Sequence, residues 1–372
     1  MQAVILVGGE GTRLRPLTYE TPKPMVPLFG LPFLERTLAR LRAAGVAEVV
    51  LASGYLPEAI HNYFGDGSQI GMRLIYVVEE KPLGTAGAIR NVAEYINGTF
   101  FVLNGDVLTS LDLGAMLAFH RRQGGLGTLH AIAVEDPSPF GCVVRDAAER
   151  VTRFVEKPPR DEAPTNEINA GTYLLEAAVI DAIPAGRAVS IERETFPQLL
   201  ARGEQLNSYV TADYWLDVGR PSQYLQAHAD VLDGKLSLSV PGGGILERGR
   251  FVLAGDPYDG RGTVRPPSFI GSEVAIASSA VVGPYAVLGS GCRVGPDATV
   301  RRAVLWDDVR VEAGATIEDA ILATGAYVGK GAVVASGAVV GHAAKIAPGT
   351  VLSPEARIAA ATLEDGAPTL KS

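Results

Sequence analysis

An aliphatic residue recurs at every sixth position in the C-terminal part of the chain, and this period constrains the fold more than any other feature of the sequence. The repeated positions are Ile270, Ile276, Val282, Leu288, Val294, Val300, Leu305, Val311, Ile317, Leu322, Val328, Val334, Val340, Ile346, Leu352 and Ile358, with one-residue slips at Leu305 and Leu322. A small residue, such as Ala280 or Cys292, follows most of them four positions later. Inward corners that admit only aliphatic and small side chains predict a left-handed parallel β-helix, which we place over residues 263–360.

Residues 1–232 show a different pattern, in which strands and helices alternate. The predicted strands are 2–7, 48–52, 73–78, 99–104, 128–134, 142–145, 151–155 and 168–175. The predicted helices run from Leu31-Pro32 to Gly45, over 57–63 and over 85–95. This alternation predicts an α/β, Rossmann-like domain with a mixed, mostly parallel sheet that binds ligands at the carboxyl ends of its strands. Residues 233–262 are predicted as a linker and residues 361–372 as a tail.

The composition narrows the partners and the cellular setting. A chain of 372 residues with 47% hydrophobic residues can bury large cores, and its length favours two domains over one. The net charge of -8 argues against nucleic acid or an anionic membrane as the main partner. Because no secretory leader opens the chain and no apolar stretch is long enough to cross a bilayer, we expect a cytoplasmic protein. Cys142 and Cys292 fall in different predicted domains and are expected to be free thiols.

The first predicted strand runs into a loop that is rich in glycine and cationic side chains. Its relevant residues are Gly8, Gly9, Gly11, Arg13, Arg15 and Lys23. Glycines let backbone N–H groups approach phosphate oxygens, and a guanidinium group can bind two of those oxygens at once. The spacing matches neither the G-x-G-x-x-G turn of dinucleotide-binding folds nor a P-loop. We therefore expect this loop to hold the phosphates of a nucleoside triphosphate.

The whole run LVGGEGTRLRPLTYETPKPMVP resembles the signature of the sugar-1-phosphate nucleotidyltransferases. The resemblance continues in the same order through EEKPLGTAGAIR, FFVLNGDV, FGCVV, RFVEKP, INAGTY and YWLDVG. It implies a reaction in which a phosphate oxygen of a sugar 1-phosphate attacks the α-phosphorus of an NTP in line, giving an NDP-sugar and pyrophosphate. The segments GTRLRPLT, PKPMV and EKPLGTAG are most similar to the mannose-1-phosphate guanylyltransferase subfamily, which implies GTP and mannose 1-phosphate as substrates. A glucose-1-phosphate uridylyl- or thymidylyltransferase is the alternative.

The resemblance also implies roles for individual residues. The nucleotide-binding positions it implies are Leu6, Gly8, Gly9, Gly11, Thr12, Arg13, Gly84 and Thr85. The sugar-phosphate-binding positions it implies are Asn104, Gly141, Glu156, Lys157 and Asn169. Arg13, Lys23 and Lys157 match the catalytic cations of the family, and Asp106 and Asp217 match its two magnesium ligands. Carboxylates suit a hard Mg²⁺ ion that also holds phosphate oxygens.

Two functions of other classes compete with this interpretation. The first is acyl transfer on the β-helix, with His342 as the base; the bland alternative is that His342 is a solvent-facing corner. The second is a non-catalytic regulatory subunit that binds a sugar nucleotide through the same fold. The β-helix itself is expected to mediate self-association, and we expect a homo-oligomer without nucleic-acid or membrane partners.

Overall fold

In a computed structural model of the chain, the structure describes residues 1–238, the backbone of residues 252–253, and residues 262–360. Most of the predicted linker and the whole predicted tail lie outside the described residues. The chain divides into two compact units by its internal contacts. Residues 1–10 and 37–215 form the first unit, and residues 11–36 and 216–372 form the second.

Helices occur mainly between the strands of the N-terminal part. In chain order, the α-helices of the described residues are Phe33–Ala43, Pro57–Phe64, Gly84–Asn91, Leu113–Gln123, Ala178–Asp181, Phe196–Ala201 and Pro221–Leu232. Short 3-10 turns occur at Thr12–Leu14, Leu17–Tyr19, Lys23–Met25, Ser68–Ile70, Ala93–Tyr95 and Arg160–Glu162, and a π-helical turn at Ile191–Thr195. Within the parts of the chain that the structure describes, no helix is both long and apolar enough to cross a membrane.

The first unit is built on one mixed sheet of nine strands among the described residues. Seven of them follow the order Val151–Glu156, Gly141–Arg145, Glu167–Glu176, Thr99–Asn104, Gln2–Leu6, Glu48–Ser53 and Arg73–Val78. Gly127–Ala133 pairs with Glu167–Glu176 and with Leu206–Thr211. The last four strands of the path are parallel to one another, as βαβ connections require. The predicted α/β fold is confirmed, and the short strands Val107–Thr109 and Trp215–Asp217 lie outside this sheet.

Two predicted helix boundaries are wrong. Leu31–Pro32 does not open a helix but pairs with Pro27–Leu28 in a small antiparallel hairpin, so the helix begins at Phe33. Phe29 and Gly30 both have positive φ (52° and 76°), which is the backbone of a tight two-residue hairpin turn.

The predicted helix over 85–95 is also interrupted. Its regular part ends at Asn91, because the amide of Val92 donates to the carbonyl of Ile89 three residues back. The chain then continues as the 3-10 turn Ala93–Tyr95.

The second unit contains the β-helix, in which short strands stack as three parallel sheets. The first stack is Val252–Leu253, Phe269–Ile270, Val287–Leu288, Val304–Leu305, Ile321–Leu322, Val339–Val340 and Arg357–Ile358. The second is Thr263–Val264, Val281–Val282, Thr299–Arg301, Thr316–Glu318 and Val333–Val334. The third is Ala275–Ile276, Arg293–Val294, Arg310–Val311, Tyr327–Val328 and Lys345–Ile346. The predicted β-helix is confirmed, and the aliphatic repeat positions from Ile270 to Ile346 form its buried core.

One outer face of the β-helix is also apolar and buried. Because side chains alternate along a strand, the residues that precede the core positions in the first stack point outward. Five of these outward residues are nevertheless at most 3% exposed: Phe269, Val287, Val304, Ile321 and Val339. Within this unit, the segment 11–36 contacts this face through the edge-on rings of Phe29 and Phe269, whose centroids are 5.4 Å apart. The helix Pro221–Leu232 contacts Trp306, which follows the strand Val304–Leu305 and donates to the Tyr224 hydroxyl at 3.0 Å.

Both cysteines are free thiols, as predicted, and both are buried. Cys292 occupies one of the small-residue positions in the core of the β-helix, and burial raises the pKa of its thiol to about 12. A thiol with that pKa is protonated at neutral pH, so Cys292 is a packing residue.

Candidate active site

The predicted site residues are divided between the two compact units, and each set is described within its own unit. The first unit holds Leu6, Gly8, Gly9, Gly84, Thr85, Asn104, Asp106, Gly141, Glu156, Lys157 and Asn169. The second unit holds Gly11, Thr12, Arg13, Lys23 and Asp217. The glycine-rich loop is therefore itself shared, because the division falls between Glu10 and Gly11.

In the first unit, three site residues lie where parallel strands end. Leu6 and Asn104 are register partners at the last positions of two adjacent parallel strands. The Gly105 amide donates to the Leu6 carbonyl at 3.1 Å, and a Cβ at Gly105 would lie only 2.8 Å from that oxygen. Asp106 comes next, so it lies at the carboxyl edge of the sheet, where open α/β sheets bind ligands.

The turn at Gly8 lies close to the carboxylate of Glu79. A Cβ built at Gly8 would be 3.9 Å from an Oε2 atom of Glu79 and 3.7 Å from the amide nitrogen of Gly54. The same Glu79 oxygen accepts a hydrogen bond from the Leu83 amide at 3.1 Å, and burial raises the pKa of this carboxyl group. A carboxylate in this place can accept hydrogen bonds from the N1–H and amine groups of a guanine base.

The loop predicted to meet the nucleobase packs against the segment 189–192. A Cβ at Gly84 would lie 2.7 Å from the carbonyl oxygen of Val189, and the φ of Gly84 is +69°, so glycine is required here on two counts. The Thr85 hydroxyl donates to Oε2 of Glu192 at 2.8 Å and accepts from a backbone amide of the segment at 2.8 Å. Gly84 and Thr85 thus have a packing role that the sequence did not reveal.

The predicted sugar-phosphate residues Gly141 and Glu156 are register partners on neighbouring antiparallel strands. A Cβ at Gly141 would lie 2.6 Å from Oε2 of Glu156 and 2.6 Å from the ring of Phe154, so the glycine makes room for the Glu156 side chain. Lys157 follows with a φ of +50°, and its amide donates to the Phe140 carbonyl at 2.9 Å. Its Nζ lies 3.8 Å from Oε1 of Glu156 while the side chain is 57% exposed, which leaves the ammonium group accessible to an anion.

The side-chain amide of Asn169 is held by its own strand. Its Oδ1 accepts from the Gly171 amide at 3.1 Å, and its Nδ2 donates to the Tyr173 hydroxyl at 2.7 Å. A Cβ at Gly171, whose φ is +71°, would lie 2.6 Å from Nδ2 of Asn104. Gly171 therefore lies between the two predicted sugar-binding amides of this unit, Asn104 and Asn169.

Glu192, which the sequence analysis missed, connects the nucleobase loop to the sugar-side residues. Its carboxylate accepts hydrogen bonds from the hydroxyl groups of Thr85 and Tyr173, at 2.8 and 3.4 Å. Tyr173 is in turn bonded to Asn169, so one carboxylate touches both groups of predicted ligands. Glu192 also lies in the π-helical turn Ile191–Thr195, and turns of this kind are frequent at functional sites.

Replacing Glu192 by glutamine is expected to lower the pKa of Glu156. Burial is the main cause that raises the pKa of the Glu156 carboxyl group, and the negative charge of Glu192 raises it further. Glutamine removes that charge and leaves the burial, so the Glu156 pKa falls towards its ordinary value. Because Thr85 loses a charged acceptor, the free energy of unfolding should also fall, by about 1 kcal/mol.

NMR titration of Glu156 and urea denaturation measure these two effects. Glu162→Gln is the matched control, because Glu162 is an exposed carboxylate of the same unit. A Glu156 pKa that is the same in wild type and Glu192→Gln would contradict the electrostatic effect of Glu192 on Glu156.

In the second unit, Gly11 and Lys23 lie against each other. Gly11 has a φ of +62°, and a Cβ there would be 3.0 Å from Cγ2 of Thr18 and 3.2 Å from Cβ of Lys23. The Thr18 hydroxyl donates to the Gly11 carbonyl at 2.9 Å. Because glycine has no side chain, position 11 allows Lys23 to pack directly on the chain that follows the glycine-rich turn.

Arg13 and Asp217 meet at Gly219 in the same unit. A Cβ at Gly219 would lie 2.9 Å from Nη2 of Arg13 and 3.3 Å from Oδ1 of Asp217. The Gly219 amide donates to Oε1 of Gln223 at 3.1 Å, which fixes this turn at the start of the following helix. A guanidinium group thus lies beside one of the two predicted magnesium ligands, and the motif YWLDVG needs its glycine for that approach.

The residues present fit a magnesium ion in their chemistry. Asp106 lies at the carboxyl edge of the sheet in one unit, and Asp217 lies beside Arg13 in the other. Both are carboxylates, and Mg²⁺ is usually bound by one or two carboxylates together with phosphate oxygens and water. Within the described residues, no group of three or more His, Cys, Asp or Glu side chains could hold a metal ion, so a site made of protein ligands alone is absent there.

The alternative that His342 is a solvent-facing corner needs correction, because the residue is half-buried and its ring makes contacts within the unit. Its Nε2 lies 3.0 Å from the Thr21 hydroxyl, and its ring meets the Trp306 ring edge-on at 5.3 Å. Burial lowers the pKa of the imidazole. The sequence could not reveal these contacts, because Thr21 and Trp306 are 321 and 36 residues away along the chain.

Comparisons with known proteins agree with these features. Residues 2–234 match the nucleotidyl transferase family, and residues 259–352 match the LbH domain of EIF2B subunit epsilon. The chain belongs to the nucleotidyl transferase family. It is therefore an enzyme of the nucleotidyltransferase class that carries a C-terminal β-helix, as the sequence predicted.

Named relatives of this nucleotidyltransferase extend over both units. It is 44% identical over 320 residues to the mannose-1-phosphate guanylyltransferase of Mycobacterium tuberculosis. The aligned region covers 86% of this chain and 83% of the relative. It is 32% identical over 343 residues to the UTP--glucose-1-phosphate uridylyltransferase of Synechocystis, covering 87% of each. Among solved structures, HddC from Yersinia pseudotuberculosis, complexed with GMP-PN, matches with a TM-score of 0.52 and 31% identity. That match covers 61% of this chain and 97% of HddC.

Proposed function

We propose that the protein transfers GMP from GTP to mannose 1-phosphate, giving GDP-mannose and pyrophosphate. The observation that carries the proposal is the 44% identity to a mannose-1-phosphate guanylyltransferase over most of both chains. The uridylyltransferase relative covers a similar share of the chain at only 32% identity, which makes glucose 1-phosphate and UTP the second choice. In the reaction, a phosphate oxygen of mannose 1-phosphate attacks the α-phosphorus of GTP, and pyrophosphate leaves from the opposite side.

The nucleotide is assigned to the glycine-rich loop and the two segments beside it. Leu6, Gly8 and Gly9 offer backbone at the carboxyl edge of the sheet, and Gly11, Thr12 and Arg13 continue that loop. Gly84 and Thr85 open the helix that is predicted to face the base. The Glu79 carboxylate, which lies close to Gly8, supports guanine because it accepts hydrogen bonds where adenine or uracil lacks the matching pair of donors.

The sugar phosphate is assigned to residues of the same sheet on the strands Thr99–Asn104, Gly141–Arg145, Val151–Glu156 and Glu167–Glu176. Lys157 carries an accessible ammonium group for the phosphate, and Glu156 beside it accepts from sugar hydroxyls. Asn104 and Asn169 offer amide donors and acceptors, and Gly141 leaves room for the Glu156 side chain on the neighbouring strand. The carboxylate of Glu192 orients Tyr173 and therefore Asn169.

Arg13, Lys23 and Lys157 are assigned to catalysis, because the reaction brings two polyanions together. The nucleophile is already ionised at neutral pH, so the protein has to position it and to stabilise the charge of the transition state. Asp106 and Asp217 would hold Mg²⁺, which when bound neutralises phosphate charge. Arg13, which lies beside Asp217, would balance the carboxylate and bind a phosphate oxygen.

Two observations count against the competing functions. The imidazole of His342 is engaged by Thr21 and Trp306, so it is poorly available as the base of an acyl transfer. Every cation and carboxylate implied for catalysis is present, which a regulatory subunit that has lost its activity would not need. We also propose that the β-helix mediates self-association, so that the protein forms a homo-oligomer.

A substrate grid tests the proposal. Five NTPs are combined with the 1-phosphates of mannose, glucose and N-acetylglucosamine, and pyrophosphate release is measured with and without EDTA. The expected result is preferential turnover of GTP with mannose 1-phosphate, which EDTA abolishes and added MgCl₂ restores. Faster turnover of UTP with glucose 1-phosphate would reject the substrate assignment, and full activity in EDTA would reject the role of the metal.

A further inference from the structure

The β-helix makes side-chain contacts with the segment 11–36, which carries two of the proposed catalytic cations, Arg13 and Lys23. Within the second unit, Thr21 lies 3.0 Å from Nε2 of His342, which is on the β-helix. The ring of His342 also makes a hydrogen bond with the backbone of Leu17. A Cβ built at Gly341 would lie 3.2 Å from Cβ of Pro16. Pro16, Leu17 and Thr21, which precede Lys23 in the chain, are therefore in contact with the β-helix at Gly341 and His342.

A second contact lies on the other side of Lys23. The hydroxyl group of Tyr224 donates to the carbonyl of Pro27 and accepts a hydrogen bond from Nε1 of Trp306 at 3.0 Å. Trp306 is on the β-helix and is only 4% exposed, and its ring contacts that of His342. Lys23 therefore lies between two anchored residues, Thr21 and Pro27. Thr21 contacts His342 directly, and Pro27 is connected to Trp306 through Tyr224.

The segment around Lys23 needs such support because it has little regular structure of its own. Between Gly11 and Phe33 it forms three 3-10 turns of three residues each and one two-residue hairpin. Turns of this length hold themselves poorly, whereas catalysis requires charged groups within fractions of an ångström of their productive positions. The rigid stack of β-helix coils supplies the fixed surface that the segment lacks.

We infer that His342 and Trp306 are positioning residues for nucleotidyl transfer, which hold Lys23 in place through Thr21 and Pro27. This inference rests on the proposed role of Lys23. The β-helix then helps to position a catalytic residue, in addition to its predicted role in self-association. A neutral imidazole suits this task, because one nitrogen can donate to the Leu17 carbonyl while Nε2 accepts from the Thr21 hydroxyl. Burial keeps the pKa of His342 low despite the opposing charge of Glu20.

The inference is tested with a double-mutant cycle on the Thr21–His342 contact. We expect Thr21→Val and His342→Ala each to lower kcat for GTP and mannose 1-phosphate by roughly tenfold, because displacement of a catalytic group by about 1 Å can cost a hundredfold. The double variant should be no slower than the slower single variant, since both remove the same contact. The KM for each substrate should change less than threefold, and His342→Gln should recover part of kcat.

A second readout does not depend on turnover. Hydrogen exchange of the amides of Met25 and Val26, which donate to the carbonyls of Pro22 and Lys23, should be faster in Thr21→Val, His342→Ala and Trp306→Phe than in wild type. Lys345→Ala is the control, because Lys345 is exposed in another stack of the same β-helix. Thr21→Val leaves the β-helix sequence intact, so it keeps the test informative if His342→Ala folds poorly.

The outcomes separate this inference from the proposed function. Additive losses of kcat in the cycle, or unchanged exchange at Met25 and Val26, would overturn the positioning role even if wild type turns over GTP and mannose 1-phosphate. Faster exchange in the variants together with a wild type that prefers other substrates would leave the positioning role in place, and would reject the substrate assignment alone.

Discussion

Replacing Lys23 by alanine is expected to lower kcat by about a hundredfold while leaving the fold intact. Removing one charge-assisted contact that is made in the transition state costs on the order of 3 kcal/mol, which corresponds to that change in rate. Lys23 lies in a 3-10 turn between the anchors at Thr21 and Pro27, and its Cβ is close to Gly11. Because the backbone contacts of this turn do not use the ammonium group, the turn should survive the substitution.

Single-turnover and steady-state kinetics with GTP and mannose 1-phosphate measure this effect, and circular dichroism and thermal unfolding report on the fold. The control is Lys345→Ala, which removes an exposed lysine from the β-helix. If Lys23→Ala keeps more than a third of the wild-type kcat, Lys23 is not a catalytic residue.

Replacing Asp217 by asparagine should have an effect at least as large, about a thousandfold on kcat/KM. Asparagine has nearly the same size, so the turn at Gly219 is kept, but the negative charge that would hold Mg²⁺ is lost. The loss also leaves the guanidinium of Arg13, which packs against Gly219, without the neighbouring carboxylate. Metal stabilisation of transition-state charge is worth several kcal/mol, which sets the expected size of the effect.

A titration with MgCl₂ separates metal binding from a general loss of structure. In Asp217→Asn, the concentration of MgCl₂ needed for half of the maximal rate should rise at least tenfold. Asp297→Asn is the matched control, because Asp297 is an exposed β-helix residue with a φ of +59° that asparagine tolerates. An unchanged MgCl₂ dependence in Asp217→Asn would remove Asp217 from the metal site.

Features set by local periodicity could be predicted from the sequence. The hexad positions from Ile270 to Ile346 were readable because each coil buries the same kind of side chain at the same offset. The strands Gln2–Leu6, Glu48–Ser53, Arg73–Val78 and Thr99–Asn104 were readable because they are short apolar runs closed by polar or glycine residues. In each case the signal lies within a few residues of the element that it specifies.

Features set by contacts between distant segments could not be predicted in this way. Glu192 acquires its role from Thr85 and Tyr173, which are 107 and 19 residues away. The hairpin turn at Phe29-Gly30 lacks the Asn-Gly or Asp-Gly pair that normally signals such a turn. Glycine is needed at position 219 only because Arg13 packs against it. Family resemblance named Gly84 and Thr85, but their packing against Val189 and Glu192 became visible only in three dimensions.

The stacking of the β-helix has a consequence for how its length can vary. Trp306 and His342 follow strands that are two coils apart in the first stack, and neighbouring coils are separated by about 4.8 Å. Inserting or deleting one whole coil between them would preserve every hexad in the core. It would nevertheless move His342 by one strand spacing, beyond reach of the Thr21 hydroxyl. Between these two residues the number of coils is therefore fixed by the N-terminal loop, whereas coils added beyond Ile358 are free of that restriction.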